Sequence, residues 1–195
     1  MQVCVARSNW RTGRQDFAGV NGRQAYTRGM AHQHPAAFKD FLRSIALFGG
    51  LEDASLERIQ TVLVQHLFAR DAVVCTEGER GRSMYVVAGG EVEVRRTNSG
   101  GGQIPIVRLG PGEFFGEMTL IEIQPRAATV VVTEPATLYS MTNRDLYALY
   151  LEDHNAYVLV LQNICRQLAR RLRLADVRIA ELLGAASEHS SSARL

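Results

Sequence analysis

The chain is predicted to be an α+β protein: an antiparallel β-roll of jelly-roll type, flanked by N-terminal helices and one long C-terminal helix. Three observations predict it. Apolar residues recur at helical spacing up to about Arg70, then collect in short strand-like runs parted by glycines, then return to helical spacing after Asp153. At 195 residues the chain suffices for one domain with appendages. With 46% hydrophobic and 22% charged residues, the composition is that of an ordinary soluble globular protein.

Residues 1–34 carry five Arg against one Asp and few clustered apolar residues, and they read as a disordered extension without assigned chemistry. The balance of the chain is then net acidic, so the folded part is no basic nucleic-acid surface. Residues 35–152 form the central unit. Phe38, Phe41, Leu42, Ile45 and Leu47 share a helical face that Phe48-Gly49-Gly50-Leu51 interrupts. Asp53 or Ser55 then caps a second helix bearing Leu56, Ile59, Val62, Leu63 and Leu67. Strand-like runs follow at 73–75, 84–87, 91–94, 104–109, 128–133 and 137–141, with Gly turns between most of them. Asp71 stands at a turn and tolerates a left-handed backbone. Thr142 or Asn143 caps a short helix through Leu151.

Residues 153–184 read as one long helix with Leu161, Cys165, Leu168, Leu172, Ala175, Ile179 and Leu182 alternating 4 and 3 apart. That is a heptad seam, and it predicts a parallel homodimer through the Leu161–Leu182 helix. Gly184 is expected to end the helix, and 185–195 to be a disordered tail. Three widely spaced cysteines, Cys4, Cys75 and Cys165, suggest reduced thiols in a cytoplasmic protein. No apolar run reaches the length of a membrane span, and none marks a secretory leader, so no membrane association is expected.

The chemistry concentrates between Phe114 and Thr129. Gly116 allows close backbone approach, Glu117 opens a short apolar helical turn, and Pro125 ends it. The first amides of such a turn point outward as an anion cradle. Arg126 then brings a planar cation suited to phosphate oxygens, followed by the small Ala127 and Ala128. A carboxylate repels phosphate, so Glu117 is suited to accepting from a sugar hydroxyl. One phosphate beside one ribose describes a nucleotide with a single phosphate. Singly, a Gly-Glu turn reads as a capped helix start and a surface Arg as solvated; together at this spacing they point to a ligand.

This stretch resembles the phosphate-binding cassette of cyclic-nucleotide-binding domains, F-G-E-x-x-L followed by P-R-A-A-T. It looks closest to the cassettes of protein kinase A regulatory subunits. The likeness extends to E-G-E at 77–79, Y-V-V-A-G-G-E-V-E-V at 85–94, L-G-P-G at 109–112 and A-R-R-L at 169–172, which resembles the helix of catabolite-activator-type regulators. It implies that Glu117 binds the ribose 2′-hydroxyl and Arg126 the cyclic phosphate, with Gly116, Met118, Thr119, Ala127 and Ala128 nearby. Val94 and Leu109 would cover the base. Ala127 after the Arg implies cyclic AMP, with cyclic GMP the alternative; Thr119 replaces a commoner Ala and adds a hydroxyl within reach of phosphate. Asp176 falls at a base-contacting position and would accept from an adenine amine. The arginines of the long helix, 166, 170, 171, 173 and 178, read as a solvated face or as phosphate contacts.

Catabolite-activator-type regulators continue into a winged helix-turn-helix. Eleven residues after Gly184 are too few for one, so direct DNA binding is not expected and output is expected through a downstream protein. The five His lie outside the 70–141 strand region, leaving no metal site; no nucleophile elbow is present, and no enzyme or cofactor is expected. The alternative to a sensor is an interaction scaffold of the same fold that binds no nucleotide.

Overall fold

The computed structural model describes residues 25–26, 36–122 and 124–192. In chain order the elements are β1 (Ala25–Tyr26), α1 (Ala36–Ser44), a 3-10 turn (Ala46–Phe48), α2 (Asp53–Val62), β2 (Val64–Phe68), β3 (Val73–Cys75) and β4 (Ser83–Thr97). They continue as β5 (Gln103–Leu109), β6 (Phe114–Phe115), α3 (Met118–Ile121), β7 (Thr129–Thr142), α4 (Asn143–Glu152) and α5 (His154–Ser192). All strand pairings are antiparallel, in the order β1-β2-β7-β4-β5, with β3 on β7 and β6 on β4. The fold class agrees with expectation, as an open roll and not a closed barrel.

Two strands organise it. The period of two along β4 and β7 sorts their side chains between two cores. Met84, Val86, Tyr139 and Met141 join α1, the 3-10 turn, α2, α4 and the start of α5 in a helix-side cluster. Val87, Val92, Val130, Val132 and Leu138 fill the interior of the roll with Phe68, Cys75, Leu109 and Phe115.

Where four short strands were expected, β4 and β7 are two long ones. Gly89-Gly90 and Glu134-Pro135 face each other across them, and the register shifts there. These residues bend the pair instead of ending it, because a bulge absorbs both the left-handed Gly90 (φ 76°) and a proline that cannot donate. Asp71 adopts φ 66°, as a turn there requires.

Three further expectations are corrected. The second helix stops at Val62, and Val64–Phe68 is strand, since pairing to Ala136–Ser140 outweighs the helical reading of Leu67. His66 is thereby a strand residue, with Nε2 2.8 Å from Ser140 Oγ. Neither Asp53 nor Ser55 caps α2: Asp53 lies in its first turn, paired with Arg43 and Lys39, and Ser55 donates to Asp153. Gly184 does not end α5, whose backbone stays helical through Ser192; a lone glycine costs a helix only about 1 kcal/mol, and alanines follow. The expectation for residues 1–34 falls outside the described residues, except that Ala25–Tyr26 pairs with β2.

The joint between α4 and α5 is bonded tightly. Thr142 caps α4 in a capping box with Asp145. Asp153 Oδ1 caps α5 through the Ala156 amide, and its Oδ2 accepts from Ser55 and Arg58. The Ser55 hydrogen bond, foremost among these partners, holds the Asp153 carboxyl below its usual range. One turn beyond Ala156–Val160, buried Asn163 donates to the carbonyls of Leu47 and Gly49. The first three turns of α5 are thus anchored to the N-terminal helices.

A Cβ at Gly90 would stand 2.2 Å from the Pro135 carbonyl oxygen. Gly90→Ala is therefore expected to destabilise the fold by about 2–3 kcal/mol, read as a lower urea midpoint at unchanged slope. An unchanged midpoint would contradict the bend.

Candidate functional site

Arg126 is the centre of the site. Its backbone is gripped by the turn between β3 and β4: its amide donates to Glu79 O at 2.8 Å, and Gly78 N donates to its carbonyl at 2.9 Å. That turn is itself held, since the Glu77 amide donates to Thr129 Oγ1 and the Glu77 carboxylate accepts from the Thr97 amide. The side chain is 93% buried, lies 5.9 Å from the centre of the Tyr85 ring, and donates through Nη2 to Ser83 O at 2.7 Å. Burial raises the Tyr85 phenol above its usual pKa, against the pull of Arg126, so the ring beside the cation stays neutral.

Arg126 Nε and Nη1 are buried and have no hydrogen-bond partner among the described residues. Burying charged donors without a protein partner is expensive, and such groups call for a partner from outside the chain, a ligand or water. Space has been kept beside them. A Cβ at Gly81 would stand 2.1 Å from Nε, and one at Gly116, which is also left-handed at φ 74°, 2.5 Å from Nη1. Two glycines therefore make room for the guanidinium.

Glu117 follows Gly116 and is 98% buried. An isolated buried carboxylate would be untenable, and Arg171 supplies its counter-ion: Nη1 donates to Oε1 at 2.6 Å, while Nη2 donates to Phe114 O at 2.7 Å. The long helix thus reaches the site through this arginine. The Thr119 hydroxyl donates back to Gly116 O at 2.7 Å and lies 3.4 Å from Ser83 O, so its proton is used on the turn and not offered outward. A buried guanidinium with two open donors, a buried carboxylate one residue from its glycine cradle, and a helix clasping that carboxylate can together hold an anion beside a hydroxyl.

Residues 65–153 match the family model of the cyclic nucleotide-binding domain. This part of the chain belongs to that family. The chain is 33% identical over 142 residues to the cyclic AMP receptor protein of Thermus thermophilus, an alignment covering 71% of this chain and 62% of that protein. It is 34% identical over 110 residues to the cAMP-dependent protein kinase regulatory subunit of Mycosarcoma maydis, covering 55% of this chain and 21% of that one. A crystal structure of a cyclic nucleotide-binding domain from Methylobacillus flagellatus overlays with a TM-score of 0.65 at 26% identity, covering 72% of this chain and 79% of that one. The chain therefore spans less than two thirds of the two full-length relatives.

Within the cyclic nucleotide-binding domain, Gly116 lies against the Arg126 guanidinium, Thr119 bonds back to Gly116, and Glu117, next in the chain, turns its carboxylate to Arg171. Ala127 is exposed and Ala128 half-buried beside them. Met118 is 51% exposed and turns outward from α3. Leu109 is buried in the interior of the roll, with Val94 half-buried at the edge of the same cluster. Asp176 is exposed on α5. Sequence reasoning missed Gly81 and the specific role of Arg171, whose half-buried guanidinium is bonded to Glu117 and to Phe114 O. Arg171 lies 54 residues from Glu117, and no local pattern links them. Among the described residues no group of His, Cys, Asp and Glu could hold a metal ion, and no helix is long and apolar enough to cross a membrane.

Gly81 does not have a left-handed backbone, so Gly81→Ala should cost under about 1 kcal/mol of stability yet push the guanidinium aside. Calorimetric titration with cyclic AMP and cyclic GMP should then show cyclic-nucleotide binding weakened at least about tenfold, a loss of roughly 1.4 kcal/mol. Binding at wild-type strength would show that the glycine cradle does not matter.

Proposed function

We propose that this chain is a cyclic AMP sensor that acts by binding, not catalysis. The observation that carries the reading is the pair of open, buried donors on Arg126, packed against Gly116, the residue that precedes the buried Glu117 in the chain. The cyclic phosphate takes Arg126 Nε and Nη1, neutralising a cation that is otherwise poorly solvated. The ribose 2′-hydroxyl donates to Glu117, whose carboxylate keeps acceptor capacity beyond its bond to Arg171. Ala127, with no hydroxyl to offer a guanine, favours cyclic AMP over cyclic GMP, in keeping with the names of the two relatives at 33% and 34% identity described above.

The signal leaves through α5. Its first turns are anchored by Asp153 and Asn163, while Arg171 couples the next stretch to Glu117. Nucleotide shifts the position of that stretch only by the difference in its affinity for clasped and unclasped helix. The same helix offers a homodimer interface. Leu161 and Leu168 lie partly against the chain's own core, but Leu172, Ile179 and Leu182 are 63%, 54% and 71% exposed along the seam. A downstream protein would read the arrangement of the two helices.

Arg126→Ala should weaken cyclic AMP binding by about 3–5 kcal/mol, and Glu117→Ala by about 1.5–3 kcal/mol, by isothermal titration with cyclic GMP in parallel. Equal affinities in wild type and Arg126→Ala would overturn the site. A wild type that binds neither nucleotide would leave an interaction scaffold. Leu172→Asp combined with Ile179→Asp should yield monomers by sedimentation velocity at concentrations where wild type is dimeric; an unchanged dimer would place the interface elsewhere.

A further inference from the structure

Among the described residues, the Arg126 side chain has a single hydrogen-bond acceptor. Nη2 donates to Ser83 O, while Nε and Nη1 stand where Gly81 and Gly116 lack side chains. A guanidinium is a planar fork, so its donors are aimed only if its plane is fixed. One hydrogen bond leaves that plane free to turn about the bond. The Tyr85 ring supplies a second point of contact. The guanidinium carbon stands over its face, 5.9 Å from the centroid, within the range at which an aromatic face attracts a cation. Burial, the largest influence on the Tyr85 phenol, keeps it neutral, so the attraction comes from the ring face and not from a phenolate charge.

The ring is itself braced. It stacks on Phe115 with centroids 5.3 Å apart and planes 20° from parallel, and it meets the His66 ring edge-on at 5.9 Å. Tyr85 and Phe115 are also register partners on β4 and β6, and Phe115 directly precedes Gly116. The ring under Arg126 is thus tied to the strand that presents one of the two glycines beside it. We propose that Tyr85 is a positioning residue for the anion site: its ring face, braced by Phe115, sets the plane of the Arg126 guanidinium and so keeps Nε and Nη1 aimed at the phosphate. This rests on the sensor reading and deepens it. Because the ring acts through the phosphate grip, it supports cyclic AMP and cyclic GMP alike. An aliphatic side chain fills the space without holding the plane.

The test is calorimetric titration of the full chain with cyclic AMP and cyclic GMP, on variants whose folding is checked by urea midpoint. Tyr85→Phe keeps the face and should bind both nucleotides within about threefold of wild type. Tyr85→Leu removes it and should weaken both about tenfold, leaving their affinity ratio within about twofold of wild type. Phe68→Leu, elsewhere in the same roll interior, should change neither affinity by more than about twofold, which separates positioning from packing. Where Tyr85→Leu fails to fold, fluorinated phenylalanines at position 85 give the readout at nearly constant shape. Successive ring fluorines draw negative charge from the face, and affinity should fall with each. Wild-type affinity in Tyr85→Leu, an equal loss in Tyr85→Phe or Phe68→Leu, or a flat fluorine series would overturn the role of Tyr85 while the sensor reading stands. A wild type that binds neither nucleotide overturns the sensor reading and the positioning role with it.

Discussion

A guanidinium taken out of water with two of its donors open is the constraint around which this structure is arranged. Arg126 makes one strong hydrogen bond, to Ser83 O, and rests beside the Tyr85 ring. Neither contact repays the desolvation of a full charge. The surroundings hold it there all the same: backbone bonds to Gly78 and Glu79 fix its main chain, and Gly81 and Gly116 give up their side chains to admit it. A fold tolerates such a cation where an anion completes it. On the proposed reading, that places the energetic weight of the site on the phosphate, and makes the ribose and base secondary grips.

The second buried charge explains the long helix. Glu117 has its counter-ion on α5, so any ligand that draws on the Glu117 carboxylate is coupled to the helix through a single arginine. The path from site to surface is short: carboxylate, guanidinium, helix, seam. Because Asn163 and Asp153 anchor the start of α5 to the N-terminal helices, a change at Glu117 acts on the part of the helix beyond those anchors, where the exposed leucines lie.

What was legible in the sequence was what is local. Gly116, Glu117, Thr119, Pro125 and Arg126 fall within eleven residues, and each type of residue announces its backbone or charge requirement. The Thr142 cap and the left-handed Asp71 were readable for the same reason. The strand breaks were misjudged because glycines and a proline mark a turn and a bulge alike; only the facing strand decides, and it lies more than 40 residues away. Val64–Phe68 was misread because apolar spacing alone does not separate strand from helix when pairing is distant. Gly81 looked like any turn glycine until the side chain of Arg126 was seen to occupy the space of its missing Cβ. The Arg171–Glu117 pair, the most consequential contact after Arg126 itself, had no sequence signature.

The most direct test of the central claim compares ligands instead of variants. Thermal unfolding of the wild-type chain should be followed with cyclic AMP and with adenosine, which shares the base and ribose but carries no phosphate. If the open donors of Arg126 await an anion, cyclic AMP raises the melting temperature to a plateau and adenosine at the same concentration does not. Equal shifts from both, or none from cyclic AMP, would contradict the account.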